Sequence, residues 1–416
     1  MGSMQSARCE SLASKVTTLP GGVSAGMTHC IHKFWSTSEA GGNPYLKLID
    51  SVEPAFTRGV TSSAVNVSIQ WRAQVTAEVE VPVYWQYPNK LPKKNGDYKS
   101  SFNRAEWLLP PGYTSSETDE ARMVFVHGCN ALCSSLGPYY LSLVANLANW
   151  TRMPVFAADF ATEPLVPWPQ NIRNVLHFVS YVLHNGPLPH GQGRRAGSVF
   201  LLGDSEGTLL TMQTVISIFD HSLRRRAGYG RSLHAPESWL KGVVLSSPVV
   251  DIACSTRSFE YNCYNATAGT GDPDTGNCTD VATPELRLAD CRASYLPYFF
   301  GLATISGVHT RTQAGEVYLE RQDFFEQGGD IAPLRANLTG LPPMLLLAGT
   351  RDYFFSDSPA LATALCEQGV EVEVYNADGG FHDFIEYAQG CGGDAPVEEA
   401  LEAYRRIAAF TAARTR

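Results

Sequence analysis

Three polar residues, Ser205, Asp352 and His382, each follow a short apolar run, in the order nucleophile, carboxylate, imidazole. A serine hydroxyl is a weak nucleophile until a histidine within hydrogen-bond reach takes its proton. A carboxylate on the far side of the ring fixes the tautomer and stabilises the imidazolium. Ser205 carries the sharpest local signal, Gly203-Asp204-Ser205-Glu206-Gly207, with apolar Val199–Leu202 before it and a helical pattern from Thr208 after it. Strand, G-x-S-x-G and helix make a nucleophile elbow. The glycines allow a turn so tight that the serine is forced into a strained conformation, its hydroxyl above the sheet. The chemistry in view is acyl transfer through a covalent serine intermediate.

The surrounding pattern supplies elements that could hold such a group. Short apolar runs recur at Met123–Val126, Pro154–Ala158, Val199–Leu202, Gly242–Leu245 and Met344–Leu347, with a more polar strand at Val370–Tyr375. Helical patterns lie between them at Tyr139–Trp150, Ile172–His184, Thr208–Leu223 and Ser358–Gln368, and a last amphipathic helix begins near Pro396. Buried strands alternating with helices imply an α/β fold, a mostly parallel sheet of about eight strands covered on both faces. Ligands of such sheets sit at the carboxyl ends of the strands. Asp352 and His382 fall in loops at those ends.

Upstream, Ala64–Trp71 and the alternating Val75–Trp85 predict an antiparallel pair at the sheet edge, and Pro88–Pro111 reads as a polar surface insertion. The rhythm breaks between Pro248 and Leu341, where a cysteine-rich loop gives way to aromatic stretches. The domain organisation that follows has a core of residues 63–250 and 341–416. A cap or lid insertion at 251–340 follows the sixth strand, and an N-terminal segment, 1–62, contributes to the cap.

Composition narrows the partners. The 416 residues carry a net charge of −9, which argues against nucleic acid or an anionic membrane surface. No apolar run reaches the ~18–20 residues of a bilayer span. Arg224-Arg225-Arg226 stands where a helix should end and reads as a solvated, dipole-compatible terminus. Of ten cysteines, Cys254, Cys263, Cys278 and Cys291 share one loop-rich segment with the sequons at Asn265 and Asn277; further sequons start at Asn66, Asn149 and Asn337. That combination favours a secretory-pathway lumen or the extracellular space over the cytoplasm. No metal or other cofactor is expected, since no C-x-x-C pair or histidine at ligand spacing accompanies the cysteines. The start, Met1-Gly2-Ser3-Met4-Gln5-Ser6, formally fits a myristoylation pattern, but a cloning remnant ahead of Met4 is the preferred reading.

These motifs resemble the hormone-sensitive-lipase-like branch of the α/β-hydrolases, across roughly residues 75–412. The family's G-D-S-x-G is Gly203–Gly207, and its D-Y-R-L-A-P-E is similar to Asp159-Phe160-Ala161-Thr162-Glu163-Pro164. Its S-P-x-x-D is Ser247–Asp251, its acid-bearing stretch is Ala348–Asp352 with Asp357-Ser358, and its G-x-x-H-x-F is Gly379–Phe384. The resemblance implies Ser205 as nucleophile, Asp352 as orienting acid and His382 as base. It also implies oxyanion donors from the backbone N–H groups of Cys129, Asn130 and Glu206, with Gly128 supporting them. Here the chain departs from the family, because H-G-G-G reads His127-Gly128-Cys129-Asn130 and Glu206 replaces a small residue. Cys129 and Cys133 stand at C-x-x-x-C spacing and could pair. A carboxylate at Glu206 would repel anionic substrates in a dry pocket. The expected activity is hydrolysis of small to medium, neutral or cationic hydrophobic esters, with substrate contacts from Tyr139, Phe299, Phe300 and Phe354. Acyl transfer from the same acyl-enzyme, or a non-catalytic receptor on the same fold, are the alternatives. Oligomeric state is open.

Overall fold

The apolar runs fold as neighbouring strands of one sheet. The computed structural model describes residues 2–39, 104–113, 120–128, 138–159, 170–187, 193–226, 228–251, 256–258, 333–391 and 395–415. In chain order these include α1 (Gly2–Ala13), β1 (Val16–Thr17), α2 (Ala25–Glu39), β2 (Arg104–Leu108), β3 (Ala121–Val126) and α3 (Pro138–Thr151). There follow β4 (Val155–Asp159), α4 (Gln170–His184), β5 (Ser198–Asp204), α5 (Glu206–Phe219), α6 (His221–Arg226) and α7 (Pro236–Trp239). The last elements are β6 (Leu240–Ser246), β7 (Met344–Gly349), α8 (Asp357–Glu367), β8 (Val372–Ala377), a 3-10 turn (Phe384–Tyr387) and α9 (Glu398–Ala412).

Among the described residues the sheet has eight strands in the order β1-β8-β7-β6-β5-β3-β4-β2. β2 runs antiparallel to β4, and the other neighbours pair in parallel. Sequence order reverses between β5 and β3, so the carboxyl end of β5 opens on the crevice where such sheets bind ligands. The strand runs are apolar at nearly every position because both faces are covered. Val124, Val199, Leu201, Val243 and Leu346 pack with α4 and α5 on one face. Phe125, Phe200, Leu202, Val244 and Leu347 pack with α3 and α9 on the other.

Three features depart from the sequence reading. The polar stretch 88–111 contains strand β2, whose Trp107 is fully buried edge-on to Phe156, ring centroids 5.1 Å apart. Only two large apolar residues mark this strand, and prolines follow it, so its pattern is too short to stand out. The helix expected over Thr208–Leu223 is two helices: Asp220 is extended at the break and its Oδ1 accepts from the Leu223 N–H at 2.9 Å, starting α6. Arg224 is not solvated but buried, its guanidinium donating to the Ile218 carbonyl of α5.

The described part of residues 1–62 is fastened to the core. β1 extends the sheet beyond β8, and Asn376 Nδ2 donates to the Ala13 and Lys15 carbonyls. Disulfides Cys9–Cys366 and Cys30–Cys391 tie α1 to α8 and α2 to the segment after the 3-10 turn. A two-residue strand leaves no periodicity to read, and cysteine pairing across more than 350 residues leaves no spacing signal. The pairs Ala64–Trp71 and Val75–Trp85, Cys129 and Cys133, the four clustered cysteines and most of 251–340 lie outside the described residues. No described helix is long and apolar enough to cross a membrane.

Candidate active site

Ser205 stands between β5 and α5 with φ 52° and ψ −126°. A non-glycine residue held there stores roughly 1–3 kcal/mol of backbone strain, which the surrounding contacts must hold in place. Its N–H is bonded to the Ser246 carbonyl of β6 at 2.9 Å. Thr208, one turn into α5, returns its N–H and hydroxyl to the Ser205 carbonyl. Gly207 is required by close approach, since a Cβ there would sit 2.2 Å from the Val126 carbonyl oxygen of β3.

The other two residues arrive on adjacent loops. Arg351 N–H donates to the Gly380 carbonyl at 2.8 Å, joining the loop after β7 to the loop after β8. A Cβ at Gly349 would lie 2.2 Å from the Gly380 carbonyl carbon, so the two strand ends meet backbone to backbone. The result brings the three sequence-predicted residues into one line. Ser205 Oγ lies 2.7 Å from His382 Nε2, and His382 Nδ1 lies 2.9 Å from Asp352 Oδ2. The second oxygen of Asp352 accepts the Phe354 N–H at 2.8 Å, fixing the carboxylate plane. Ser205 is half-buried, whereas Asp352 and His382 are buried.

Gly128 lies against the elbow. A Cβ on it would come 2.5 Å from the Asp204 carbonyl oxygen and 2.9 Å from the Glu206 nitrogen. Gly128, just past β3, therefore lies beside the Glu206 N–H. Cys129 and Asn130 lie outside the described residues, as do Phe299 and Phe300. Glu206 opens α5 and is buried. Tyr139 lies in the first turn of α3. Phe354 is buried with its ring on the His382 imidazole, centroids 5.2 Å apart. A cavity of about 330 Å³ lined by Tyr113, Glu120, Arg152 and neighbouring prolines opens beside the amino end of β3, away from Ser205.

The family model described as "alpha/beta hydrolase fold" matches residues 123–308 and 302–386. The chain belongs to this α/β-hydrolase family. It is 22% identical over 298 residues to a protein named "Esterase" from Acinetobacter venetianus, covering 71% of this chain and 76% of that one. Among solved structures, a mutant of the esterase E40 aligns with a TM-score of 0.51 at 20% identity, over 75% of this chain and 81% of that one. An esterase of the bacterial hormone-sensitive lipase family aligns with a TM-score of 0.50 at 20% identity over the same shares. The hydrolase fold and the family expected from the motifs are thus both present.

The electrostatics of this hydrolase hold residues that the motif reading passed over. Asp383, next to His382, sits at φ 57°, and its N–H donates to Ser247 Oγ at 2.8 Å. Its Oδ2 is 3.3 Å from His382 Nε2. Asp204, Asp383 and Glu386 bring carboxylate oxygens within 4.8 Å of one another and are all buried. Three such acids could close on a cation, yet burial favours protons on them: it lifts Asp204 to about 6, and with the Asp204 charge it raises Asp383, a rise that a charged His382 opposes. Burial disfavours a charged His382, but Asp352 and Asp383 outweigh it and raise the imidazole above its usual range. The only sequence signal for Asp383 was its adjacency to the histidine and the tolerance of Asp for left-handed backbone.

Another buried carboxylate, Asp357, joins loops at the strand ends. Asp357 Oδ2 accepts the Val250 and Asp251 N–H groups, each at 2.7 Å, and its Oδ1 accepts the Thr256 hydroxyl at 2.8 Å. It thereby ties the loop after β6 to the start of α8. Burial and the nearby Asp251 raise its pKa to about 7.

Proposed function

We propose that the chain is a serine carboxylic-ester hydrolase working through an acyl-enzyme. The observation that carries this is the unbroken relay from Ser205 Oγ to His382 Nε2, and from His382 Nδ1 to Asp352. Ser205 Oγ attacks the ester carbonyl carbon while its proton passes to Nε2. The oxyanion is held by the Glu206 N–H and the strip after Gly128, Cys129 and Asn130. The imidazolium returns the proton to the departing alkoxide, giving the alcohol and an acyl-Ser205. Water then repeats the sequence, with Nε2 as base, and releases the carboxylic acid. Each preorganised oxyanion donor is worth about 2.7–4 kcal/mol in the transition state.

The substrate class follows from Glu206. A buried carboxylate beside the developing oxyanion disfavours acyl or alcohol groups bearing negative charge, so neutral or cationic, small to medium hydrophobic esters are the fit. The two disulfides support an oxidising compartment. The test is turnover of p-nitrophenyl acetate and butyrate with labelling by a fluorophosphonate. Both should be abolished by Ser205→Ala, a loss on the order of 10⁶ in kcat. Turnover that survives in the alanine variant overturns the assignment.

A further inference from the structure

We propose that Asp383 is a second positioning residue of the histidine, whose carboxyl group takes a share of the proton that Ser205 delivers to Nε2. This rests on the esterase reading of Ser205 and His382. Its ground is geometric. Nε2 has Ser205 Oγ at 2.7 Å and Asp383 Oδ2 at 3.3 Å, while Asp352 is engaged at Nδ1. Asp383 is aimed there by its left-handed backbone and by the hydrogen bond from its N–H to Ser247 Oγ. When Oγ attacks, Nε2 gains an N–H that Asp383 Oδ2 can accept, until the proton passes to the leaving oxygen. No atom is gained or lost relative to the ordinary cycle.

The charge balance around this proton involves every neighbouring element. Asp352 faces it from the loop after β7 and Asp204 from the end of β5. Around these acids stand Glu386 of the 3-10 turn beside Asp204, Tyr140 of α3 near Asp204, Asp383 and Glu206 of α5, and Tyr404 of α9 near Glu386 and Asp204. With Asp204 and Glu386 alongside, Asp383 is the acid of this group that reaches Nε2, so it competes with the ring for one proton. Removing its carboxylate should free the Nε2 lone pair at lower pH.

Asp383→Asn and Asp383→Gly test this, since both residues accept left-handed backbone and Asn keeps the shape. The readouts are the pH profile of kcat/KM for p-nitrophenyl butyrate and the NMR titration midpoint of His382 in histidine-labelled protein. Loss of a carboxylate this close should lower both the acid limb and the midpoint by about one pH unit. A turn residue without a role in the proton's fate would leave both within about 0.3 unit, a result that overturns the proposal. If the wild type hydrolyses no ester, the esterase reading fails, and the imidazole midpoint alone judges Asp383. If neither variant folds, the wild-type midpoint decides: at or below the free-histidine value of about 6.5, the proposal is wrong.

Discussion

Gly128→Ala perturbs the site by one methyl group whose position is fixed by the backbone. The new Cβ would lie 2.5 Å from the Asp204 carbonyl oxygen, 2.9 Å from the Glu206 nitrogen and 2.9 Å from Ser205 Cβ. Relaxed contact for a carbon needs about 3.5 Å, so the strip after β3 must retreat from the elbow by about 1 Å. A misplacement of that size costs about 10² in rate, and loss of one oxyanion donor costs about 10²–10³. We therefore expect kcat to fall about 10²–10³-fold with KM nearly unchanged, because the oxyanion exists only in the transition state. The assay is steady-state hydrolysis of p-nitrophenyl butyrate, normalised to fluorophosphonate-titrated sites, with the thermal midpoint measured in parallel. Gly26→Ala is the control: its Cβ would lie 2.0 Å from the Pro396 carbonyl oxygen, outside the elbow. It should lower the thermal midpoint while leaving kcat within about threefold, an interval small against the oxyanion effect. A Gly128→Ala enzyme with kcat within that same interval would refute the placement of the oxyanion strip.

Three further outcomes follow from the described geometry. With one disulfide kept, opening the other releases a ring of about 46 residues, which loop entropy values at about 4 kcal/mol; opening both, the second across 361 residues, totals about 10 kcal/mol. Either double-serine variant should then fold while the variant lacking both bridges does not, and a fully folded bridge-free chain in denaturant titration counts against this. Asp204 and Asp357 hold their protons to about 6 and about 7 when folded, against about 3.9 unfolded. Their contribution is thus complete below pH ~4 and lost as pH rises through those values. The thermal midpoint should fall from pH 5 to pH 8, and a rise would contradict the raised values. Finally, Glu206→Ala should increase kcat/KM for anionic esters relative to neutral ones, as read from an ester panel varied in charge. A wild type that already prefers anionic esters would overturn the role given to Glu206.

Much of the core could be read because strand and helix impose different periods on a buried chain. Runs such as Val199–Leu202 and Met344–Leu347 announced their strands, and the residues just past the strand ends announced Ser205, Asp352 and His382. What escaped reading has a common physical cause: the signal is tertiary. β2 shows its burial only through Trp107 against Phe156. β1 is held by Asn376 and by pairing with β8, not by its own pattern. Asp383 and Glu386 look like loop polar residues until the fold stacks them behind Asp204. The fastening of the N-terminal segment left no pattern because two sulfur bridges, and not an apolar stripe, hold it.

Those bridges impose an order on biogenesis. Cys9 leaves the ribosome 357 residues ahead of Cys366, and Cys30 precedes Cys391 by 361. At about 5–20 residues per second, each early thiol waits roughly 20–70 s for its partner. During that wait the six cysteines between residues 129 and 291 emerge first and offer themselves as wrong partners. Thiol–disulfide exchange must then undo any premature bond. The chain can lock α1 only once α8 exists, and α2 only after β8 has followed, so correct pairing is a late event, and yield should depend on isomerase capacity more than on the speed of oxidation.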